Sequence, residues 1–451
     1  MASDLMRAVT ELRDAQESYA TSKQYFDGNQ DEVFSSPRLA RLLRKTGKKY
    51  KVNFARTVVT AVLDRLDLLG VYSTDTGIGE RLTQMWERNE MEQEADEVLR
   101  WALVYGECYV MVWPDEDGQA EIAYNDPATT RIFYDEERPR IKRFAAKVWV
   151  TQDKLTRANL YYPDRIEKYI ARHNKPKSDA EFEPYVDYFD DVEGDDGEVT
   201  VEPVWPVPNP YDEIPVFHFR TERPRGRPEH ADAFAPQDMI NKLVITQMSS
   251  TDYHGFPQRY VLAGHSPSNE IDDLDLEDGE EGEEGETGQS DGLKAGPGEL
   301  WWLTGEDLEI GQFDAADPDA FLKPFQEYVK AMAASTHTPV HHFEGMADPP
   351  SGESLRVATE PLIKKVEDRK KMFSPTWRQV FDFALRIELD TEMAHALELQ
   401  WSNAQTYSDK DAWEVVKAKQ EAGVPRDRTL REAGYSAEEV KEFATSEGAD
   451  A

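Results

Sequence analysis

Cysteine is almost absent from the chain, which has one, Cys108, among 451 residues. A single thiol cannot form an intramolecular disulfide, so the fold does not depend on an oxidising compartment. Cys108 lies in "YGECYVMVW", where polar and apolar residues alternate as in a half-buried strand. We expect a small core residue at this position rather than a reactive thiol.

Long apolar runs are also missing. No stretch of 18 apolar residues occurs, so we expect no transmembrane helix and no membrane among the partners. The N-terminal "MASDLMRAVTELRDAQ" is charged and lacks the apolar core of a signal peptide. The sequence therefore predicts a soluble protein made in a cytoplasm.

Basic residues are scarce: 52 Lys and Arg stand against 89 Asp and Glu, a formal charge of −37. A protein that grips nucleic acid neutralises phosphates with a basic face. Most of this surface would repel DNA, which excludes a protein that grips DNA unless it is meant to let DNA pass without holding it.

Catalytic motifs are absent as well. The sequence has no GxxxxGK[ST] phosphate loop and no GxSxG elbow. The glycines of "TDTGIGERL" lack both a preceding strand and a third glycine, so they do not indicate dinucleotide binding. We predict that the protein is not an enzyme and has no cofactor.

Hydrophobic residues make up 39% of the chain and aromatic residues 11%, which indicates a folded protein of two or three units. Helical periodicity is clear around Phe54–Leu66 and Met91–Ala102, with Gly106 placed to end the second helix. A hairpin is predicted around "DEDG", and β-rich sequence continues to about Arg220. The fold class is therefore α+β.

An acidic run, Glu270 to Gly292, contains twelve acids and no base. Such a run repels itself and cannot bury a core, so we expect a mobile insertion. The ligand spacing of a calcium-binding loop is missing. The insertion and its flanking strands stand between two helical segments, which suggests a small β module on a helical stalk.

The longest helical pattern, "GESLRVATEPLIKKVEDRKKMFSPTWRQVFDFALRIEL", follows this stalk. Its expected apolar face begins with four residues at helical spacing, Leu355, Ala358, Leu362 and Val366. Pro361 lies within the pattern and should kink the helix.

Three of the nine histidines crowd into one short stretch as His337, His341 and His342, with Glu344 close behind. The four-residue spacing would place two ligands on one helical face, but Pro339 disfavours a helix there and no HExxH is present. We therefore expect a polar turn between two helices and no metal. The alternative is a metal-dependent hydrolase that uses this cluster.

The order of these segments resembles that of the tailed-bacteriophage portal proteins (head-to-tail connectors), of the type common in phages of Gram-positive hosts. The likeness covers nearly the whole chain and is carried by five stretches: "YFDGNQ" with the helix after it, "YGECYVMVWPDEDGQAEIAYNDP", "PQDMINKLVITQMSSTDYHGFPQRYVLAG", "MADPPSGESLR" and "AGVPRDRTLREAGYSAEEV". Ser354, where the family commonly has alanine, and the acidic insertion depart from the pattern.

The resemblance implies a portal fold with a wing, a helical stem, a small β clip, a long kinked helix with a tunnel loop, and a helical crown. The implied boundaries are 1–235 for the wing, 236–254 and 317–336 for the stem helices, 255–316 for the clip with its acidic insert 270–292, 337–354 for the tunnel-loop region, 355–407 for the long helix and wing return, and 408–451 for the crown.

The resemblance also implies a homo-oligomeric ring, usually of twelve subunits, at one vertex of the capsid. Double-stranded DNA would pass through its channel during packaging and ejection, without sequence-specific contacts. The other implied partners are the major capsid protein, the scaffold, the terminase large subunit and the head–tail adaptor. The protein would reside in the virion and, during assembly, in the host cytoplasm. Another phage head structural protein is the remaining alternative.

The implied channel site is a tunnel loop formed by Met346, Ala347, Asp348, Pro349, Pro350, Ser351, Gly352, Glu353 and Ser354. Two prolines and a glycine oppose regular structure in this loop. Lys364 and Lys365 follow it and are candidates for transient contact with DNA phosphates; the alternative for both is an ordinary solvated helix face.

Overall fold

The computed structural model describes residues 3–31, 51–193, 199–255, 259–263, 300–304, 309–312, 319–344, 351–389, 396–405 and 409–432. The helices within them are α1 (Asp4–Asp27), α2 (Phe54–Leu63), α3 (Thr76–Arg88), α4 (Met91–Tyr105), α5 (Phe234–Gly255), α6 (Asp319–Thr336), α7 (Gly352–Leu389), α8 (Asp409–Glu421) and α9 (Arg426–Glu432).

The strands are β1 (Leu68–Ser73), β2 (Glu107–Pro114), β3 (Ala120–Asn125), β4 (Thr130–Tyr134), β5 (Lys142–Val150), β6 (Thr156–Tyr161), β7 (Arg165–Ala171), β8 (Phe182–Pro184), β9 (Phe189–Glu193), β10 (Val199–Pro203), β11 (Val207–Pro208), β12 (Val216–Arg220), β13 (Arg259–Ala263), β14 (Leu300–Thr304), β15 (Glu309–Gln312) and β16 (Leu397–Trp401). Helices and sheets occur together, so the predicted α+β class is confirmed.

The chain divides into two compact units. One comprises 1–31, 53–237 and 331–451, and the other comprises 32–52 and 238–330. The boundaries fall inside α5 and α6, so each of these helices begins in one unit and ends in the other.

The main core of the first unit forms around α7 and the antiparallel sheet β12-β2-β3. Trp377 is fully buried, and its ring lies 4.6 Å from that of Phe219 on β12. Burying one side chain of this size stabilises the fold by about 1.5–3 kcal/mol. The middle and C-terminal turns of α7 therefore pack into the main core and hold the helix in place.

The first turns of α7 differ from the sequence prediction. Leu362 and Val366 are fully buried, but Leu355 is only half-buried and Ala358 is exposed. The apolar face thus begins at Leu362 in the single chain. The helix is continuous through Pro361, which lies inside it.

A second core lies between α1 and a six-stranded antiparallel sheet. Strand order is β11-β7-β6-β5-β4, with β8 paired to β7. Leu5 and Val9 of α1 pack against Phe133 and Phe144, whose stacked rings are 4.4 Å apart. The amphipathic first helix therefore covers one face of this sheet.

Glycines fix the turn from α4 into β2. Gly106 ends the helix with a φ of 86°, as the sequence predicts. A Cβ on Gly226 would lie 1.7 Å from the carbonyl oxygen of Gly106. Both positions therefore require glycine, one for its backbone conformation and the other for close approach.

The acidic sequence "DDVEGDDGE" begins inside a strand, although its composition favours a solvated loop. Strand β9 pairs with β10 as an antiparallel ribbon, with Phe189 opposite Pro203. Phe189 is 57% exposed and Val201 66% exposed. Cross-strand hydrogen bonding therefore holds this ribbon, while Phe189 and Val201 stay largely exposed.

The second unit contains parts of α5 and α6 and the sheet β14-β13-β15. Strand β13 pairs with β14 in parallel and with β15 in antiparallel orientation. A parallel pair needs a connection of a dozen or more residues, and the stretch between these strands contains the acidic run. The predicted insertion Glu270 to Gly292 itself lies outside the described residues.

None of the helices in the described ranges is long and apolar enough to cross a membrane.

Candidate functional site

Helix α6 ends in a tight cap that includes the first histidine of the cluster. His337 has a φ of 55°, in the left-handed region. The N–H of Thr338 donates to the carbonyl of Ala333 at 3.1 Å. This bond and a left-handed residue are the marks of a Schellman cap, where glycine or asparagine is usual. His337 therefore ends helix α6.

The other two histidines lie on a short 3-10 turn, Val340–His342. The rings of His341 and His342 are 4.7 Å apart and both residues are half-buried. Burial, and then the nearby charge of Arg65, lowers the pKa of His341. Phe343 packs edge-on against Phe54, with ring centroids 5.6 Å apart. The turn is thus pinned to α2.

No group of three or more His, Cys, Asp or Glu side chains in the described part of the chain is arranged to hold a metal ion. Within the described residues, the alternative of a metal-dependent hydrolase therefore lacks a three-ligand site.

The expected tunnel loop is described only at its end. Met346 to Pro350 lie outside the described residues. Ser351 caps α7: its Oγ accepts from the N–H of Ser354 at 3.3 Å, and its carbonyl accepts from Leu355. Gly352, Glu353 and Ser354 form the first turn, so the helix begins at 352 rather than at the expected 355.

The two lysines that follow the loop have different surroundings. Lys364 is exposed. The side chain of Lys365 is only 15% exposed, and its ammonium contacts Glu229 at 2.7 Å and donates to the carbonyl of Thr336. We therefore keep Lys364 as a candidate for phosphate contact and assign Lys365 a structural role.

Glu229 is the centre of this buried cluster. Its side chain is 2% exposed and receives Lys365 on one oxygen and Arg369 on the other, both at 2.7 Å. Burial alone would raise the pKa of Glu229, but the two cations outweigh it and hold the pKa below its ordinary value. Arg369 also donates to the carbonyl of Thr221 at 3.0 Å.

This cluster connects three helices, α5, α6 and α7. Glu229 lies just before α5, Thr336 ends α6, and Lys365 and Arg369 lie one turn apart on α7. We call Glu229, Lys365, Arg369 and Thr336 the base cluster. The signal in the sequence was the i, i+4 pair of cations, but their shared partner Glu229 is 136 residues from Lys365 and 140 from Arg369 in the chain.

Two further contacts set the start of α5. His230 Nε2 lies 3.0 Å from the carbonyl of Ser22. Burial lowers the pKa of His230 to about 4, so the ring is neutral and donates this bond. The amide oxygen of Gln237 accepts from the N–H groups of Phe54 and Ala55 at the start of α2.

A second buried polar cluster connects α1, β2, β4 and β12. Glu107 accepts from Tyr19 Oη at 2.5 Å and from His218 Nε2 at 2.7 Å. Tyr134 Oη lies 3.0 Å from the other ring nitrogen of His218. Burial lowers the pKa of His218, and the hydrogen bond and charge of Glu107 oppose the shift.

The charge of Glu107 is balanced although the residue is buried. Burial would raise its pKa, but the hydrogen bond from His218, the charge of Arg225 and the hydrogen bond from Tyr19 lower it to about 2. Arg131 and Arg225 each lie 3.8 Å from the carboxylate. The cluster therefore acts as a paired ionic anchor between helix and sheets.

Comparison with known proteins gives a consistent result. The family model described as "Phage portal protein, SPP1 Gp6-like" matches residues 18–445. The portal protein of Mycobacterium phage D29 is 26% identical over 414 residues, 87% of this chain and 78% of the relative. That of Mycobacterium phage L5 is 25% identical over 458 residues, 96% of this chain and 86% of the relative.

A solved structure titled "Virion of native gene transfer agent (GTA) particle" contains a chain that is 11% identical. The two chains superpose with a TM-score of 0.40 over 93% of this chain and 99% of the other.

The family match leaves out only the first 17 and the last 6 residues. It therefore includes α2 to α9, the base cluster and all sixteen strands of the described residues. The chain belongs to the SPP1 Gp6-like family of phage portal proteins.

Proposed function

We propose that this chain assembles into a ring, usually of twelve subunits, at one vertex of a phage capsid. The ring encloses the channel through which double-stranded DNA enters during packaging and leaves during ejection. The observation that carries the proposal is the family match over residues 18–445.

The arrangement of the second unit supports this assignment. It contains residues 238–255 of α5, a three-stranded sheet and residues 319–330 of α6. A sheet between two helical segments is the order expected for a clip carried on a stem. In this proposal the clip binds the terminase large subunit and later the head–tail adaptor. The first unit contributes the wing and the crown, which contact scaffold and major capsid protein.

The base cluster supports a mechanical role. Ion pairs at 2.7 Å, with little exposure to water, join Glu229 just before α5 to Lys365 and Arg369 of α7. A hydrogen bond from Lys365 to the carbonyl of Thr336 adds the end of α6. The proposed tunnel loop, Met346 to Ser354, stands between α6 and the first buried turns of α7. Movement of the loop would therefore act on α7, which Lys365 and Arg369 fix to Glu229.

The charge of the chain suits a channel for DNA. Each copy carries a formal −37. A wall with the same sign of charge as DNA holds no deep electrostatic trap, and its repulsion extends only about 8 Å at physiological salt. The duplex can then slide, with Lys364 as a candidate for brief contact with phosphates.

Membership in a family of portal proteins implies a structural rather than an enzymatic role and a place in the virion. In the proposed function, ATP is hydrolysed by the terminase, and the portal needs no catalytic group. Assembly takes place in the host cytoplasm before the particle is complete.

Light scattering of the purified chain over a concentration series tests the proposal. Twelve copies of a 51.6 kDa chain have a mass of about 619 kDa. A particle within one or two subunits of this mass supports the ring. A mass of 51.6 kDa at every concentration, with scaffold protein present as well as absent, contradicts it.

A further inference from the structure

A cavity of about 420 Å³ in the first unit has an unusual charge for this chain. It lies between the end of β4, the start of β5, β12 with the loop after it, and the middle of α7. Five cationic side chains line it: Arg140, Lys142, Arg220, Arg223 and Lys371. No carboxylate is among the described residues that line it, although acids outnumber bases 89 to 52 in the chain.

Two of these cations have no counterion. Arg140 and Arg223 are exposed and make no hydrogen bond or ion pair among the described residues. Lys371 pairs with Asp368 at 3.3 Å, but both side chains are more than half exposed. Exposed pairs of this kind contribute about 0–1 kcal/mol, so this contact hardly reduces the availability of Lys371.

The other two cations are held in place by uncharged groups. Arg220 donates to the carbonyl of Pro224 at 2.7 Å and lies over the ring of Tyr134 at 5.2 Å. Lys142 donates to the carbonyl of Val216 at 2.9 Å and lies 4.3 Å from the centre of the Phe217 ring. These contacts fix the side chains through uncharged partners and add no carboxylate to the lining of the cavity.

Lys142 is the cation of this set whose pKa is shifted by burial. Burial lowers the pKa of its ammonium to about 8, and the charge of Glu213 only partly opposes the shift. An anion in the cavity would supply the missing countercharge. The lining also offers the amide of Gln379 and the hydroxyl of Thr376, and Thr376 Oγ1 lies 3.4 Å from the carbonyl of His218.

We propose that this cavity binds a ligand carrying several phosphate charges, either a free polyphosphate or consecutive phosphates of a DNA backbone. Guanidinium groups form paired, charge-assisted hydrogen bonds with phosphate oxygens, and here two of them are without another partner. The volume lies within the range of roughly 300–1,000 Å³ that is usual for small-ligand pockets. The assignment does not depend on ring assembly.

Titration calorimetry of the full chain in low-salt buffer tests this site, with inorganic tripolyphosphate as one probe and a short double-stranded DNA as the other. We expect one tripolyphosphate per chain. The double variant R140Q/R223Q should bind at least 100-fold more weakly, about tenfold for each guanidinium removed from the phosphate. The matched control R138Q/R172Q removes two exposed arginines that do not line the cavity and should bind as the wild type does.

The DNA probe identifies the source of the phosphate. Displacement of tripolyphosphate by DNA assigns the site to a nucleic-acid backbone, and failure to displace it assigns the site to a free polyphosphate. Absence of binding, or equal weakening in both double variants, overturns the proposal. An oligoglutamate peptide that binds as tightly as tripolyphosphate would overturn it in favour of an acidic protein segment. All four substituted residues are exposed, so the variants should keep the wild-type melting temperature.

Discussion

Replacing Lys365 with methionine removes the ammonium from the base cluster while keeping an unbranched side chain of similar length. Glu229, with 2% of its side chain exposed, would keep Arg369 as its remaining cation. Breaking a buried ion pair typically costs 3–5 kcal/mol. Because one partner remains, we expect K365M to lower the free energy of unfolding by about 3 kcal/mol, at the lower end of that range.

The matched control is K364M, one position earlier on the same helix. Lys364 is exposed, and surface substitutions usually change stability by less than about 0.5 kcal/mol. Unfolding entropy of about 2.1 cal/mol/K per residue over the roughly 340 residues of the first unit converts 3 kcal/mol to a shift of about 4 °C. Scanning calorimetry should therefore separate the two variants clearly.

The effect of K365M should depend on pH. The pKa of Glu229 is lower in the folded protein than its ordinary value of 4.5. Its contribution to stability is therefore complete above about pH 4.5 and is lost as pH falls below that value. We expect the difference between wild type and K365M to be largest near pH 7 and to shrink below pH 4.5. Equal melting temperatures for K365M and K364M at pH 7 would refute the assignment of the cluster.

Three other substitutions test local claims. Glu107→Gln should lower the free energy of unfolding by about 3 kcal/mol at pH 7. Because ionised Glu107 stabilises the fold only above its folded pKa of about 2, urea titrations should show the difference from wild type shrinking between pH 4.5 and 2. A difference that does not change with pH contradicts this. His337→Val should destabilise the fold by about 1–2 kcal/mol in calorimetry, because a β-branched residue strains a positive φ. His337→Gly should not destabilise the fold. Equal losses in both variants would argue against the helix-cap role. Ser351→Ala should cost about 1 kcal/mol and speed amide exchange in the first turn of α7, and unchanged exchange there would contradict the capping role.

Local patterns in the sequence predicted most of the elements correctly. Helix periodicity placed α2 and α4, Gly106 marked a helix end, and the "DEDG" turn marked the hairpin of β2 and β3. Strands were expected on both sides of the acidic insertion, and β13 and β14 confirm them. The glycine and proline of "GVP" mark a break between helices, and α8 and α9 flank it. These signals act within a few residues, so a single sequence contains them.

Predictions that depended on distant residues failed or could not be made. The partner of Lys365 is Glu229, and that of Glu107 is His218, 111 residues away in the chain. The β9–β10 ribbon was missed because acidic residues are unusual in strands and hairpin pairing overrode that tendency. Helix α7 continues through Pro361, and the kink expected there stays a prediction.

The cavity of cations was also beyond prediction from one sequence. Arg140 precedes β5, Arg223 follows β12, and Lys371 lies in α7. Only the packing of these elements brings their charges to one cavity. Net charge alone pointed away from any anion site.

Electron-microscopy class averages of the purified full chain, prepared with scaffold protein, test the central claim most directly. We expect end-on views of a closed ring with rotational symmetry and an open central channel. Closed rings form when head-to-tail contacts return to the first subunit. Isolated single chains, or particles without a central channel, would contradict the assignment of this chain as the conduit for DNA.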